Sequence, residues 1–246
     1  MNAQADTDGG KRAAAAAAAA LVRDGMALGL GTGSTVRFLI ELLGERIQRE
    51  QLRLIGVATS LETEARARAA GIPLGELVPG RQLDLAIDGA DEVEQGTLSL
   101  IKGLGGALLR EKIVALSARD FVVIADASKL VAKLGTRAPV PVEVVRFAHA
   151  ATAGRLEHLG GRAVLRLDAG GDPFVTDNGN LIYDLSGLAP ITDPQALERD
   201  LALIPGVVAS GLFTLPVACA FIGSADGTVR TLKPRGKARP IGGALR

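Results

Sequence analysis

The sequence predicts the α/β class: a parallel sheet covered by helices on both faces, followed by a smaller α+β unit. Two observations predict it. In the first half, short and almost uniformly apolar runs alternate with stretches of helical period, the pattern of strands buried on both faces. From about Arg137 the texture changes to proline-rich, β-branched runs around an Asn-Gly turn signal, which belongs to antiparallel hairpins. A chain of 246 residues, 48% of them apolar, has room for one large domain or one with a small satellite.

The N-terminal "MNAQADTDGGKRAAAAAAAALVRDG" sets two cations before eight alanines from Ala13, which resembles the start of a signal peptide. Alanine is too weakly apolar for a signal core, and the run passes into Arg23-Asp24 without a cleavage-like stretch, so it reads as a helix. "MALGLG" follows as a strand. "TVRFLIELLGERI" is a helix whose Phe38, Leu39, Leu42 and Leu43 recur at helical spacing. "LRLIGVAT" is a buried strand, and Ser60 caps the next helix, "LETEARARAAG", which Gly71 ends and Pro73 closes. "LDLAID" and "DFVVIAD" are the third and fourth strands. Between them "GGALLREKIVALSA" is helical, with Leu108, Ile113 and Leu116 expected to face the core.

In the second half "RAPVPVEVVRF" is extended and "ATAGRLEHLGG" is a short helix. "RAVLRL" and "NLIYDL" flank a loop containing "DNGN", a hairpin signal. "DPQALERDLALIPG" is a helix that starts after Asp193 with Pro194 at its first position. The final "TLKPRGKARPIGGALR", basic and rich in Gly and Pro, is expected to be a loose tail.

Composition removes several function classes. A formal net charge of +1 shows no basic bias for nucleic acid, and the absence of Trp, with Tyr183 the sole tyrosine, leaves no stacking platform for single strands. The one cysteine, Cys219, excludes an intramolecular disulfide and fits a reducing compartment. His149 and His158 without Cys pairs leave few zinc ligands, and no apolar run approaches the ~20 residues of a membrane span. The expectation from composition is a soluble, cytoplasmic protein.

In open parallel sheets, ligands bind beyond the carboxyl ends of the strands, and the unusual loops of the first half fall there. "GLGTGSTV" brings Gly31 and Gly33 to the start of a helix at Ser34 and Thr35, where free N–H groups and the helix dipole suit a phosphate. It lacks the lysine of a Walker loop, and a capped tight turn is the plainer reading. "LAIDGADEV" runs from a strand into Asp88, turns on Gly89 and Ala90, and adds Asp91 and Glu92; three acids so close suit proton transfer, or else an Asx turn with solvated charges. "IKGLGGALLREK" sets Lys102 before Gly103, Gly105 and Gly106 and leads into a helix carrying Glu111, which lies a little over a turn in and can act as proton acceptor or stay an ordinary surface residue. "ADASKL" puts Lys129 after the fourth strand. Together these loops describe a small phosphorylated substrate undergoing proton transfer.

"GLGTGST", "IDGADEV", "KGLGGALLREKI", "IADASK", "PVPVEVV" and "VTDNGN", in this order, resemble type A ribose-5-phosphate isomerase over roughly residues 11 to 230. "DGADE" followed by "KG-x-GGAL-x-REK" is the most specific part. The resemblance implies a Rossmann-like parallel-sheet domain over 1–136, rejoined by about 207–230, a smaller α+β (ferredoxin-like) domain over 137–206, and a basic tail over 231–246. It also implies interconversion of ribose 5-phosphate and ribulose 5-phosphate in the non-oxidative pentose phosphate pathway, no metal or cofactor, and a homodimer or homotetramer. By similarity Glu111 shuttles a proton between sugar C2 and C1 through a cis-enediol(ate), while Asp88, Asp91 and Lys102 serve ring opening and the oxygens. Thr32, Gly33, Ser34, Thr35, Lys129 and Lys11 are the implied phosphate contacts, with Gly89, Ala90, Gly103, Leu104 and Gly105 around the sugar. Two departures stand out: Leu104 occupies a frequent glycine position, and "GLFTLPVACAFIG" lacks an expected acid. Against this stand an amino-sugar phosphate deaminase, which needs a histidine near the acids, a non-catalytic sugar-phosphate sensor, and an aldolase-like enzyme with Lys102 as Schiff-base nucleophile.

Overall fold

The computed structural model describes residues 3–234. In chain order the elements are α1 (Ala3–Ala19), β1 (Met26–Leu30), α2 (Ser34–Glu50), β2 (Leu54–Ala58), α3 (Leu61–Ala69), β3 (Leu83–Asp88), β4 (Glu92–Glu94), β5 (Leu100–Ile101), α4 (Leu108–Leu116) and β6 (Ala118–Asp126). They continue with β7 (Leu130–Val131), β8 (Val140–Val144), α5 (His149–Glu157), β9 (Arg162–Leu165), β10 (Leu181–Ser186), α6 (Pro194–Ala202), β11 (Val207–Ser210), β12 (Leu212–Phe213), β13 (Cys219–Gly223) and β14 (Val229–Leu232).

The main sheet has the order β14-β13-β6-β3-β1-β2, parallel throughout except for β14. Its inner strands are largely apolar because both faces are covered. Leu28, Leu30, Ile87 and Ile124 pack with α1 and α2 on one face, while Ala27, Ala86 and Val123 pack with Val114 and Ala115 of α4 on the other. Ser60 caps α3 by accepting from the Thr63 N–H, and the Asp193 side chain caps α6 ahead of Pro194, both as the sequence predicts.

A second sheet, antiparallel in the order β11-β8-β10-β9, is built as β-α-β-β-α-β with α5 and α6 on one face, the ferredoxin-like arrangement. Its opposite face lays Ile182 and Ala209 against Leu108 of α4. The second sheet thus presses on the helix that carries Glu111. A third, short sheet, β12-β5-β4-β7, joins the two.

Several expectations need correction. Ile113 and Leu116 are 46% and 52% exposed, and α4 instead turns Leu108, Glu111, Val114 and Ala115 inward. The helix starts at Leu108, so Glu111 lies in its first turn, not beyond it. The "DNGN" turn closes Val175 on Leu181, while a separate excursion through Leu167 and Pro173 fills the rest of the β9–β10 connection. Residues 207–210 pair with β8 in the antiparallel sheet, and the chain returns to the parallel sheet only at Cys219. Thr231 and Leu232 of the predicted tail belong to β14, and its remainder from 235 lies outside the described residues.

The first helix reaches back to Ala3, ten residues before the alanine run, and contains Gly9 and Gly10. They are there because α1 crosses the end of β13: a Cβ on Gly223 would stand 1.9 Å from the Gly10 carbonyl oxygen. Gly223→Ala is therefore expected to lower the unfolding free energy by about 1–3 kcal/mol in urea titration; an unchanged midpoint would contradict this crossing.

Candidate active site

The site forms where the loops after β1, β3, β5 and β6 converge. Asp88 ends β3, and its Oδ1 accepts from the backbone N–H groups of Thr32 (3.0 Å) and Gly89 (2.7 Å). Only glycine fits at position 31, because a Cβ there would stand 2.0 Å from Asp88 Oδ1. Lys102 enters from the exit of β5, fixed by its N–H on the Gly211 carbonyl at 2.9 Å. Its Nζ lies 3.0 Å from Asp88 Oδ2 and 3.2 Å from Glu111 Oε1, and donates to the Gly89 carbonyl at 2.6 Å. Asp88, Lys102 and Glu111 are all nearly sealed from solvent, at 3%, 2% and 4% exposure. Glu111 Oε2 is buried with no hydrogen-bond partner among the described residues, which leaves it free to take a proton.

Charge in so closed a place shifts proton affinities. Burial, then the neighbouring Asp88 charge, pushes Glu111 up to about 8, against the pull of Lys102. Asp88 is raised too, chiefly by burial and in spite of Lys102. For Lys102 burial works against the ammonium, yet Asp88, Glu111 and Asp91 together outweigh it and hold the amine above its ordinary value. The sequence left open whether crowding or the cation would govern the carboxylates; desolvation decides it.

At the open end of the cleft, Gly33 adopts φ 110° and starts α2 with no side chain capping it. The first-turn N–H groups around exposed Ser34 and buried Thr35 stand ready for an anion, with half-buried Lys129 also lining the cleft. Gly89, Ala90, Asp91, Gly103 and Gly105 complete the lining together with Thr32. Two of the residues implied by the resemblance stand outside it. Lys11 faces Asp8 at 3.5 Å, and the Leu104 side chain is 43% exposed, although its N–H donates to Asp91 Oδ2 at 3.0 Å. Glu92, the third acid of the cluster, turns away and accepts from the N–H groups of Gly135, Arg137 and Ala138 at 2.7, 2.5 and 2.8 Å.

A model of the family described as ribose 5-phosphate isomerase A (phosphoriboisomerase A) matches residues 55–227. The chain belongs to that family. The ribose-5-phosphate isomerase A of Synechococcus sp. (strain JA-3-3Ab) is 52% identical over 229 residues, 93% of this chain and 99% of its own. That of Thermomicrobium roseum is 52% identical over 221 residues, covering 90% and 92% of the two chains. The structure of ribose 5-phosphate isomerase A from Methanocaldococcus jannaschii superposes with a TM-score of 0.86 at 46% identity over 91% of this chain and 97% of that one. A D-ribose-5-phosphate isomerase solved in complex with phospho-erythronic acid gives 0.88 at 38% identity over 95% and 100%. As a member of the ribose 5-phosphate isomerase A family, the chain is an isomerase.

A larger hollow, about 400 Å³ against about 90 Å³ for the cleft, lies beside Glu64, Arg68, Arg110 and Ile113. Its charged groups all reach solvent, so the chemistry is assigned to the smaller cleft. No group of three or more His, Cys, Asp or Glu is arranged to hold a metal ion, and no helix is long and apolar enough to cross a membrane, among the described residues.

Sequence reasoning missed a set of hydroxyls behind the glycine loop. Thr32 Oγ1 lies 2.7 Å from Thr59 Oγ1, 2.9 Å from Ser60 Oγ and 3.2 Å from Thr63 Oγ1, and Thr63 Oγ1 donates to the Gly31 carbonyl at 2.8 Å. "ATSLET" stands at the carboxyl end of β2, so the strand-end rule that found the other loops applies here as well. The second sheet also contributes. Arg110, beside Glu111, donates to Asn178 Oδ1 and the Asp177 carbonyl, both at 2.8 Å, and Asp177 accepts from the Leu61 N–H at 2.8 Å.

The raised Glu111 links stability to pH. Below its ordinary value of 4.5 it is protonated in both states; from there to about 8 only the folded chain keeps the proton. The stability it contributes is therefore full at low pH and lost as pH rises through about 8. Urea titrations are expected to show the stability of wild type relative to Glu111→Gln falling from pH 5 to about pH 8 and levelling off above it. A difference flat across that range would contradict the raised proton affinity.

Proposed function

We propose that the protein interconverts D-ribose 5-phosphate and D-ribulose 5-phosphate through a cis-enediol(ate), with Glu111 as the base. The observation that supports this most is the buried contact of one ammonium with two carboxylates beside an uncapped helix start. Glu111 takes the proton from C2 of the open-chain aldose. The C–H electron pair forms the C1–C2 double bond, and the carbonyl pair moves onto O1. The Lys102 ammonium faces that developing charge, a preorganised donor typically worth ~3 kcal/mol. The proton on O2 then passes to O1 by way of the Asp88 and Asp91 carboxylates, the O2–H pair forms the C2 carbonyl, and the C1–C2 double-bond pair takes back the proton from Glu111 at C1. Asp88 and Asp91 serve ring opening and proton movement among the oxygens.

Thr32 to Thr35 and Lys129 hold the phosphate, so that one base serves both carbons. Phospho-erythronic acid, bound in a related structure, couples a carboxylate to a phosphate, which supports the same division of the cleft.

The rivals find less support. His149 is engaged with the Tyr183 hydroxyl of β10 at 2.8 Å, and no histidine lines the cleft among the described residues, against a deaminase. A Lys102 held as ammonium is no Schiff-base nucleophile. We further read residues up to 136, rejoined by β13 and β14, as the catalytic unit, and the β8–β11 segment as the smaller one. The same reading takes the enzyme as a metal-independent, cytoplasmic homodimer or homotetramer of the non-oxidative pentose phosphate pathway.

With excess chelator, ribose 5-phosphate is expected to turn over in wild type, while Glu111→Gln lowers kcat by about 10²–10⁴-fold and still binds phospho-erythronic acid. In wild type kcat/KM is expected to climb from pH 6 and level off above an apparent pKa of about 8, as Glu111 ionises. A folded wild type that binds the sugar phosphate without turnover would point to the sensor. A pH-independent kcat/KM would remove Glu111 from the role of base.

A further inference from the structure

The turn after Lys102 is glycine at every position but one. Gly103, Leu104, Gly105 and Gly106 close on themselves through the Gly106 N–H on the Gly103 carbonyl at 2.9 Å. With glycine at all but one position, many conformations lie close in energy. Something outside the turn must select one.

Arg166, just after β9, is placed to do so. Its Nη1 donates to the carbonyl of Gly103 at 2.9 Å and to that of Leu104 at 3.0 Å. Its other edge forks onto Asp184 of β10, with Nε donating to Oδ2 at 2.9 Å and Nη2 to Oδ1. This pairing fixes the guanidinium plane, and a lysine could not reproduce it. The Phe174 ring, its centroid 5.9 Å from Arg166 Cζ, closes against Gly106, where a Cβ would lie 2.5 Å from the ring.

A trans peptide sends its N–H opposite to its C=O. Two carbonyls drawn to Arg166 therefore send the N–H groups of Leu104 and Gly105 the other way. The Leu104 N–H reaches Asp91 Oδ2 at 3.0 Å. The Gly105 N–H meets no acceptor among the described residues, and Gly105 lines the cleft.

We propose that Arg166, steadied by Asp184, is a positioning residue for the reaction: by holding two carbonyls it aims the Leu104 N–H at Asp91 and the Gly105 N–H at the sugar's reacting oxygens. This rests on the isomerase reading above and adds a residue of the second sheet to it. The phosphate end of the cleft shares no contact with Arg166, so its affinity is independent of this device.

The test compares wild type, Glu111→Gln, Arg166→Lys, Arg166→Ala and Asp184→Asn for kcat, KM, competitive inhibition by inorganic phosphate, and melting temperature. Arg166→Lys is expected to lose about 10-fold in kcat and Arg166→Ala about 100-fold, with KM and the phosphate inhibition constant nearly unchanged. Added guanidinium is expected to restore part of the Arg166→Ala loss. Should Arg166→Ala fail to fold, Arg166→Lys and Asp184→Asn decide through the same kcat-selective loss. Wild-type kcat in folded variants would overturn the proposal, as would KM and the phosphate constant rising together at unchanged kcat. Absence of turnover in wild type itself would strike the isomerase reading instead.

Discussion

Lys102 sits between Asp88 and Glu111 with almost no access to water, and taking such ions out of solvent costs several kcal/mol each unless the surroundings compensate. The compensation is built from backbone. Two N–H groups hold Asp88 Oδ1, and the Gly89 carbonyl takes a further proton of the ammonium. To assemble this, β1 must leave the sheet against Asp88, β5 must end on Gly211, and α4 must begin at once after the glycine turn. The glycine at 31 follows from the first requirement, and that at 211 from the second, since a Cβ there would stand 2.2 Å from the Lys102 carbonyl oxygen. One buried cation thus sets the course of three chain segments.

The second sheet is part of the same construction. Ile182 and Ala209 press on Leu108, while Arg110 is tied to Asp177 and Asn178, so the first turn of the helix carrying Glu111 is held by the second sheet and its loop. The turn bearing Asp177 is in turn organised by Glu143, fully buried in β8, which accepts from Thr176, Asn178 and Asn180 at 3.0, 3.1 and 2.8 Å. A carboxylate remote from the cleft therefore helps to aim the one inside it. The cleft is thus framed by two sheets that close on a single helix.

Much of this was legible because the strand-end rule is strong. Apolar runs marked the strands, and the four first-half loops that carried glycine or charge all contribute residues to the cleft. What could not be read was direction. Asp91 and Glu92 are adjacent, yet strand alternation sends one to the cleft and the other to the loop at 135–138. Ile113 and Leu116 suggested a core face for α4, but the buried Lys102 demands that Glu111 point inward, which carries those two apolar side chains out. Arg166 had no local signal at all, since its partners lie 18 residues away at Asp184 and 63 away at Gly103. The hydroxyls of Thr59, Ser60 and Thr63 were visible in principle; their polarity at a strand end passed for ordinary capping.

Burial among these charges keeps Glu111 protonated well above the usual carboxylate range. The most direct measurement is a carbon-13 NMR titration of glutamate side-chain carboxyls, with Glu111→Gln identifying the resonance. A midpoint near 8 is expected for that carboxyl. A midpoint at the ordinary value of 4.5 or below would show that Lys102 outweighs desolvation and would contradict it.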